Sequence, residues 1–280
     1  MSSPTAADVE SWSGKDRGDE NFPVGSWLIS ARLRPHVHAF YAFARNADDI
    51  ADSPSLAPED KIFRLDAMEA VLLGRADAGS PSAVRLRASL AQTGVTPRHS
   101  LDLLVAFRRD ATKRRYESWD ALLDYCRYSA NPVGRHVLEL HGECHSTFAP
   151  SDALCTALQV LNHVQDVARD LAELDRCYLP LDLMAARGAR IEDVRRQAAS
   201  PGLRLVLDAL LDECDLLNQE AADLPRRVRD RRLRLETAVI VGLSRRLAAR
   251  LRRGDPLAAR VKLSKGDAVA SLLSALRFLP

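Results

Sequence analysis

The chain has 280 residues, of which 46% are hydrophobic and 28% charged. That apolar share can build a core, which excludes disorder as the ruling state, and the length suits one large domain or two small ones. The formal net charge is only +2, which removes any whole-chain case for a nucleic-acid partner.

In chain order, residues 1–20 are polar and read as a flexible lead with no apolar stretch of the signal-peptide kind. Residues 35–52 read as a helix, because Val37, Phe40, Tyr41, Ala44, Ala47 and Asp48 recur at spacings of three and four. A second helix over 58–73 carries Ile62, Leu65, Met68 and Leu72 on one stripe, and Gly74, Gly79 and Pro81 mark a loop over 74–82. Helices are expected at 83–92, 97–110, 118–128, 132–143 and 150–174, with Pro97, Pro132 and Pro150 at positions where a helix begins. The helical pattern resumes over 191–198, 202–224, 230–253 and 266–277. Valine–isoleucine runs bounded by turn residues are missing, so no sheet is predicted. The expected fold class is all-α.

The five cysteines, Cys126, Cys144, Cys155, Cys177 and Cys214, are odd in number and form no C-x-x-C pair. A disulfide framework is therefore not expected, and a reducing, cytoplasmic setting fits. His141, Cys144 and His145 lie close in sequence but have no second ligand pair at zinc-finger spacing, so they read as incidental. No apolar run reaches the ~18 residues of a membrane span, so any membrane contact is expected to be peripheral. Residues 225–265 are rich in arginine and hold few acids, namely Asp230, Glu236 and Asp255. A solvated helical face is the plain reading of that stretch; contact with anionic lipid or RNA is the alternative.

Two acidic clusters carry the chemistry. In Asp48-Asp49-Ile50-Ala51-Asp52, the first and last aspartates lie four apart on one helix face, and Asp49 lies three from Asp52. Like charges at those spacings repel, and a divalent cation is the simplest compensation. In the second cluster Asn162, Asp166 and Asp170 stand four apart, beside the apolar Leu158, Leu161, Val164, Val167 and Leu171. Three oxygen-bearing side chains on a largely buried helix are expensive unless paired or liganded. Either cluster alone also reads as a solvated acidic face. Together they can hold several Mg²⁺ ions around one diphosphate, lowering the barrier to breaking its carbon–oxygen bond.

At these residues the sequence resembles the squalene and phytoene synthase family, the head-to-head prenyl synthases, over roughly 20–275. Phe40 to Asp52 (FYAFARNADDIAD) is similar to the family's first aspartate motif with its upstream tyrosine and arginine, and Asn162 to Asp170 to the second. Arg176-Cys177-Tyr178-Leu179-Pro180 resembles the R-x-Y-x-P segment, and Tyr125 to Gly134 the Y-C-x-Y-x-A-G-x-V-G segment that lines the cavity. Two departures stand out. The usual serine- and lysine-containing segment reads Glu20-Asn21-Phe22-Pro23-Val24, and the glycine after the cavity alanine is Asn131, followed by Pro132 and then Arg135. These changes resemble the hydroxysqualene synthase branch of bacterial hopanoid pathways.

The resemblance implies a single-domain helical bundle of the isoprenoid synthase type over 21–280, with a central cavity. It implies that presqualene diphosphate is ionised and its cation captured by water, giving hydroxysqualene. A sister enzyme would make presqualene diphosphate from two farnesyl diphosphates. Asp48, Asp49, Asp52, Asp166 and Asp170 are the expected ligands of several Mg²⁺ ions, with Asn162 supporting the second set. Arg45 and Arg176 would hold diphosphate oxygens, since a guanidinium fork suits phosphate; an ion pair with a neighbouring aspartate is the plainer role for either. Tyr41, Tyr128 and Tyr178 would hydrogen-bond diphosphate or face the cation with their rings, core packing being the alternative. Asn131 and Arg135 are where water capture is expected. NADPH is not expected, because no dinucleotide-binding fold is visible. The expected location is the cytoplasm, with peripheral contact at the inner face of the membrane.

The rival readings are squalene or presqualene diphosphate synthesis from two farnesyl diphosphates, a head-to-tail elongase, a terpene cyclase, and a non-catalytic helical scaffold binding RNA or lipid. An elongase would repeat D-D-x-x-D in the second motif, and a cyclase would show N-D-x-x-S-x-x-x-E; this chain has neither. The scaffold would leave both carboxylate stripes unexplained.

Overall fold

The computed structural model describes Glu10 and residues 29–278. The lead expected over 1–20, apart from Glu10, and the Glu20–Val24 segment lie outside the described residues. The helices are α1 (Arg34–Asp52), α2 (Pro58–Leu72), α3 (Pro81–Thr93), α4 (Arg98–Asp110), α5 (Trp119–Ser129), α6 (Asn131–Leu140), α7 (Phe148–Glu173), α8 (Leu181–Ala186), α9 (Pro201–Ala221), α10 (Leu224–Arg227), α11 (Arg231–Arg253) and α12 (Lys265–Ala275). The all-α expectation is met, and most expected bounds agree within a few residues.

Three local features depart from the sequence reading. The stretch expected as a helix at 191–198 is a 3₁₀ segment, Ile191–Arg195. The short α8 had no counterpart in the reading, being too brief to show a period. A two-stranded parallel pair also exists, β1 (Arg115–Tyr116) with β2 (Cys177–Pro180), where no sheet was expected. All four β2 residues are buried, and the Cys177 amide donates to the Arg114 carbonyl at 3.0 Å. A buried segment this short must place its backbone donors somewhere, and a two-residue partner satisfies them without any periodic signal.

The chain forms two compact units, one comprising Met1–Thr112 and Arg135–Gly142, the other Lys113–Gly134 and Glu143–Pro280. In the first unit α1 packs against α2, α3 and α4. Its core holds Phe40, Phe43, Ala47 and Ile50 from α1 against Leu65, Met68, Leu86, Leu103 and Leu104. Helix α3 starts with Pro81 in its first turn, where a missing N–H is harmless, and the Ser80 hydroxyl accepts from the Ala83 amide at 3.2 Å.

In the second unit the 26-residue α7 is the axial element, packed against α5, α9, α11 and β2. Its buried side includes Leu154, Ala157, Val160, Leu161, Val164, Val167 and Leu171. Gly134 marks a close approach to this helix: a Cβ there would stand 2.7 Å from Cys155 Sγ and nearer still to Ser151 Oγ. Helix α11 begins at Asp230, whose side chain accepts from the Arg232 and Leu233 amides at 2.9 Å each. The buried Glu143 carboxylate accepts from the preceding Arg229 and Asp230 amides, both at 2.8 Å, so the chain enters the helix at a set angle.

Candidate active site

In the first unit, the last three turns of α1 carry the first aspartate motif. Tyr41, Arg45, Asp48, Asp49 and Asp52 follow one another at helical spacing, opposite the Phe40, Phe43, Ala47 and Ile50 side that enters the core. Arg45 spans two of the carboxylates, with Nη1 3.0 Å from Asp48 Oδ2 and Nη2 3.2 Å from Asp49 Oδ1. The buried Asn46 turns away and donates to the Ala42 carbonyl at 2.8 Å. Lys61 of α2 donates to the Ala51 carbonyl at 2.8 Å, which sets a cation at the C-terminal, negative end of α1.

Burial, then the Asp52 carboxylate, raise the Asp48 pKa well above the ordinary range; Arg45 opposes this, while Asp110 and Asp49 add to it. Asp110 is the buried last residue of α4 and was not singled out in the sequence. No spacing rule connects it to Asp48, because only the packing of α4 on α1 brings its charge there.

In the second unit, α7 carries Asn162, Asp166 and Asp170 in line, with Asp166 and Asp170 buried and Asn162 half-buried. Arg169 Nη2 lies 2.7 Å from Asp166 Oδ2 and 3.8 Å from Asp170 Oδ1. Arg260 approaches the other Asp166 oxygen, Nε to Oδ1, at 3.7 Å. The segment carrying Arg260 is tied to the same helix, since Gln165 Nε2 donates to the Val261 carbonyl. In the sequence, Arg260 belonged to a stretch read as a solvated face; the fold gives it a carboxylate partner.

Just after α7, the Arg176 amide folds back to the Asp170 carbonyl at 3.1 Å, and the buried Arg176 leads directly into β2. Tyr178 in β2 stacks on His163 with centroids 3.6 Å apart and rings 15° from parallel. Tyr116 and Tyr125 close the same cluster, at 5.4 Å and 5.5 Å from the Tyr178 ring. Burial, and then the Arg176 cation, push His163 down to about 3, so this ring is neutral at physiological pH. Tyr178 therefore packs in an aromatic nest two residues beyond a buried arginine, and its packing role is established by these contacts.

Asn131 is buried at the start of α6, and its Oδ1 accepts from the Thr156 hydroxyl of α7 at 3.0 Å. Tyr128 is half-buried on α5. The structure thus brings Arg45, Asp48, Asp49 and Asp52 together in one unit. In the other it joins Asp166 and Asp170 with Arg169 and Arg260, and anchors Asn131 to the same helix.

Among the described residues, no three His, Cys, Asp or Glu side chains stand around one point as a ready-made metal cage. The donor chemistry nonetheless fits Mg²⁺. That ion dehydrates reluctantly and is held by one or two carboxylates with substrate phosphate oxygens and water. Burial and the carboxylates crowding Asp48 hold its pKa up despite Arg45, and such an ion would neutralise that negative charge.

A squalene/phytoene synthase family model matches residues 15–267. A hydroxysqualene synthase from Rhodopseudomonas palustris is 47% identical over 264 residues, covering 94% of this chain and 90% of that protein. One from Zymomonas mobilis is 45% identical, with 91% and 86% covered. Among solved structures, squalene synthase HpnC from Alicyclobacillus acidocaldarius superposes with a TM-score of 0.75 at 36% identity, covering 85% of this chain and 90% of that one. A dehydrosqualene synthase with bound ligand is similar in fold, with a TM-score of 0.79 at 21% identity, covering 93% and 92%. On this match, which takes in both aspartate motifs, the chain belongs to the squalene/phytoene synthase family.

Proposed function

We propose that this protein is a hydroxysqualene synthase of hopanoid biosynthesis. It ionises presqualene diphosphate and lets one water take the cation. The carbon–oxygen bond to diphosphate breaks and its electron pair leaves with the diphosphate. Water forms the new carbon–oxygen bond and loses a proton, giving hydroxysqualene. The observation that carries this reading is the 47% identity to the Rhodopseudomonas palustris hydroxysqualene synthase across 94% of the chain, with both aspartate motifs inside the match.

The residues divide the work by their chemistry. Asp48, Asp49 and Asp52, and Asp166 and Asp170 with Asn162 in support, are the groups that would hold Mg²⁺, and both motifs serve one turnover. Bound Mg²⁺ supplies positive charge against the departing diphosphate. Arg45 and Arg176 bind diphosphate oxygens through planar forks, and Arg45 is oriented for this by the two carboxylates it spans. Tyr41, Tyr128 and Tyr178 offer hydroxyls to diphosphate, while the Tyr178 ring itself stays packed on His163. Asn131, fixed by Thr156, and Arg135 orient the capturing water. The neutral His163 adds no competing positive charge beside that ring. NADPH plays no part, because water and not hydride ends the reaction.

Residues 21–280 act as one catalytic domain in the cytoplasm, and contact with the inner face of the membrane is peripheral. A sister enzyme condensing two farnesyl diphosphates supplies the substrate. The second reading is squalene synthesis, favoured by the likeness to the solved squalene synthase HpnC at 36% identity.

The test is product identification. Purified protein is incubated with Mg²⁺ and either farnesyl or presqualene diphosphate, with and without NADPH. Hydroxysqualene from presqualene diphosphate without NADPH is expected; squalene formed only when NADPH is present would overturn the assignment. Asp48→Ala and Asp166→Ala are each expected to lower kcat by at least about 100-fold with helical circular dichroism unchanged. Near-normal turnover in either removes that residue from the machinery.

A further inference from the structure

Helix α12 is built inside out. A surface helix normally turns its apolar stripe to the core and its polar side to water. Here the buried positions are Asp267, Ser271 and Ala275. The outward positions include Val269, Leu272 and Leu273, continued by Leu276 in the 3₁₀ turn that follows, with Val269 57% and Leu273 63% exposed. Those four recur at spacings of three and four, so they form a continuous apolar ridge and not scattered exposures.

The register that turns them outward is held by several contacts. Ser264 and Asp267 form a reciprocal cap, with Asp267 N to Ser264 Oγ at 3.2 Å and Ser264 N to Asp267 Oδ2 at 2.7 Å. Arg250 of α11 grips the same carboxylate, Nε to Oδ2, at 2.6 Å. Ser271 lies against Gly242, where even a Cβ would come within 3.0 Å of its hydroxyl. Turning the leucines inward would break the Arg250 pair and force large side chains into a gap sized for serine and alanine.

Basic residues lie at both ends of the ridge in the chain, Lys262 and Lys265 before it and Arg277 after it. Arg253, Lys262, Lys265 and Arg277 are exposed, and among the described residues none of them is in an ion pair. Between Val261 and Phe278 the sole acid is Asp267, already occupied by Arg250. A groove of ≈ 950 Å³ on the polar flank of α12, the side of Asp267, Ser271 and Ser274 and not the ridge, is lined by Arg246, Arg253, Lys262 and Arg277. An apolar ridge with cations outside ion pairs at its two ends is complementary to a surface that is greasy within and anionic outside.

We infer that α12 docks on an anionic lipid bilayer, lying in its plane with Val269, Leu272, Leu273 and Leu276 among the acyl chains and the cations at the ends of the ridge against headgroup phosphates. The inference rests on the proposed membrane-peripheral setting of the enzyme and gives it a defined face. Docked in this way, the protein stands beside the phase in which its C30 product dissolves.

Vesicle binding without substrate tests this independently of turnover. The full chain is sedimented with phosphatidylcholine vesicles, alone or with about a third phosphatidylglycerol, at about 0.1 M and about 1 M salt. Binding to the anionic vesicles, weakened by salt, is expected, with Leu272→Gln/Leu273→Glu and Lys262→Glu/Lys265→Glu each reducing it at least about tenfold. Leu216→Glu, at an exposed leucine of α9, should bind as the unaltered protein does. Leu273→Trp keeps the ridge apolar and should show a blue-shifted emission on anionic vesicles, a readout that survives if the charged variants misfold. Binding that ignores the ridge variants, equal binding to neutral vesicles, no binding at all, or an oligomer that Leu273→Glu splits into monomers would each overturn the inference. Turnover on detergent-dispersed presqualene diphosphate reports separately on the proposed reaction.

Discussion

Asp48 sits among more negative charge than its own motif supplies. Asp52 and Asp49 are its neighbours along the helix, Arg45 offsets part of their field, and Asp110 adds a charge from another helix. In the proposed site, an acid beside the metal-holding carboxylates tunes them without being a ligand, and losing such a partner typically costs 10–100-fold in metal affinity. Asp110→Asn is therefore expected to raise the Mg²⁺ concentration for half-maximal turnover by about tenfold, with less effect on kcat at saturating metal. A Mg²⁺ titration of both proteins checks this; an unchanged curve separates Asp110 from the site. Arg260 is its counterpart in the second unit, reaching Asp166 from the arginine-rich stretch. The candidate acids inside the motifs were singled out by their spacing, and Arg45 and Arg176 by the family resemblance. Asp110 and Arg260 were not, because their relation to the motifs exists only after α4 packs on α1 and after Gln165 holds Val261.

Between elements, the closeness of contact depends on a few small residues. Gly134 on α6 faces Ser151 and Cys155 of α7 with no room for a methyl group. Asn131 meets Thr156 on the same pair of helices. Gly134→Ala forces α6 away from α7 and is expected to destabilise the protein by about 1–3 kcal/mol, the usual penalty for overpacking. A urea titration measures it, and an unchanged midpoint would mean the two helices yield at no cost. The same variant should displace Asn131, so kcat should fall even where folding is complete. Helix positions were legible because 3.6-residue periodicity is local. The β1–β2 pair and α8 were missed because segments this short carry no period, and burial and backbone pairing alone select their conformation.

For the whole molecule, two imidazoles link stability to pH. Burial, with His99 and His36 nearby, pushes His136 down to about 3, and it stacks on Phe40 at 3.8 Å. Burial and Arg176 push His163 to about the same value. In the unfolded chain both rings titrate near about 6.5, so below that pH the unfolded state binds more protons. The stability these two rings contribute is full above about pH 6.5 and falls as the pH drops toward 3, by about 1.4 kcal/mol per pH unit for each ring. Between pH 7 and pH 5 the two rings together account for up to about 4 kcal/mol, and His136→Phe should remove about half of that. Urea midpoints at the two pH values test it; a flat profile in the unaltered protein would show that the folded rings take up protons freely.

The amino-acid sequence by itself determined the helical class, the residues that share each helix face, the two aspartate motifs and the kinship they signal, because all of these depend on local period and residue type. Tertiary structure alone decided which distant charges reach Asp48 and Asp166 and how Tyr178 is packed. It also decided that α12 turns its polar side inward. Those outcomes follow from which surfaces meet across long stretches of chain, a long-range choice made by packing, charge pairing and steric room that local spacing does not encode.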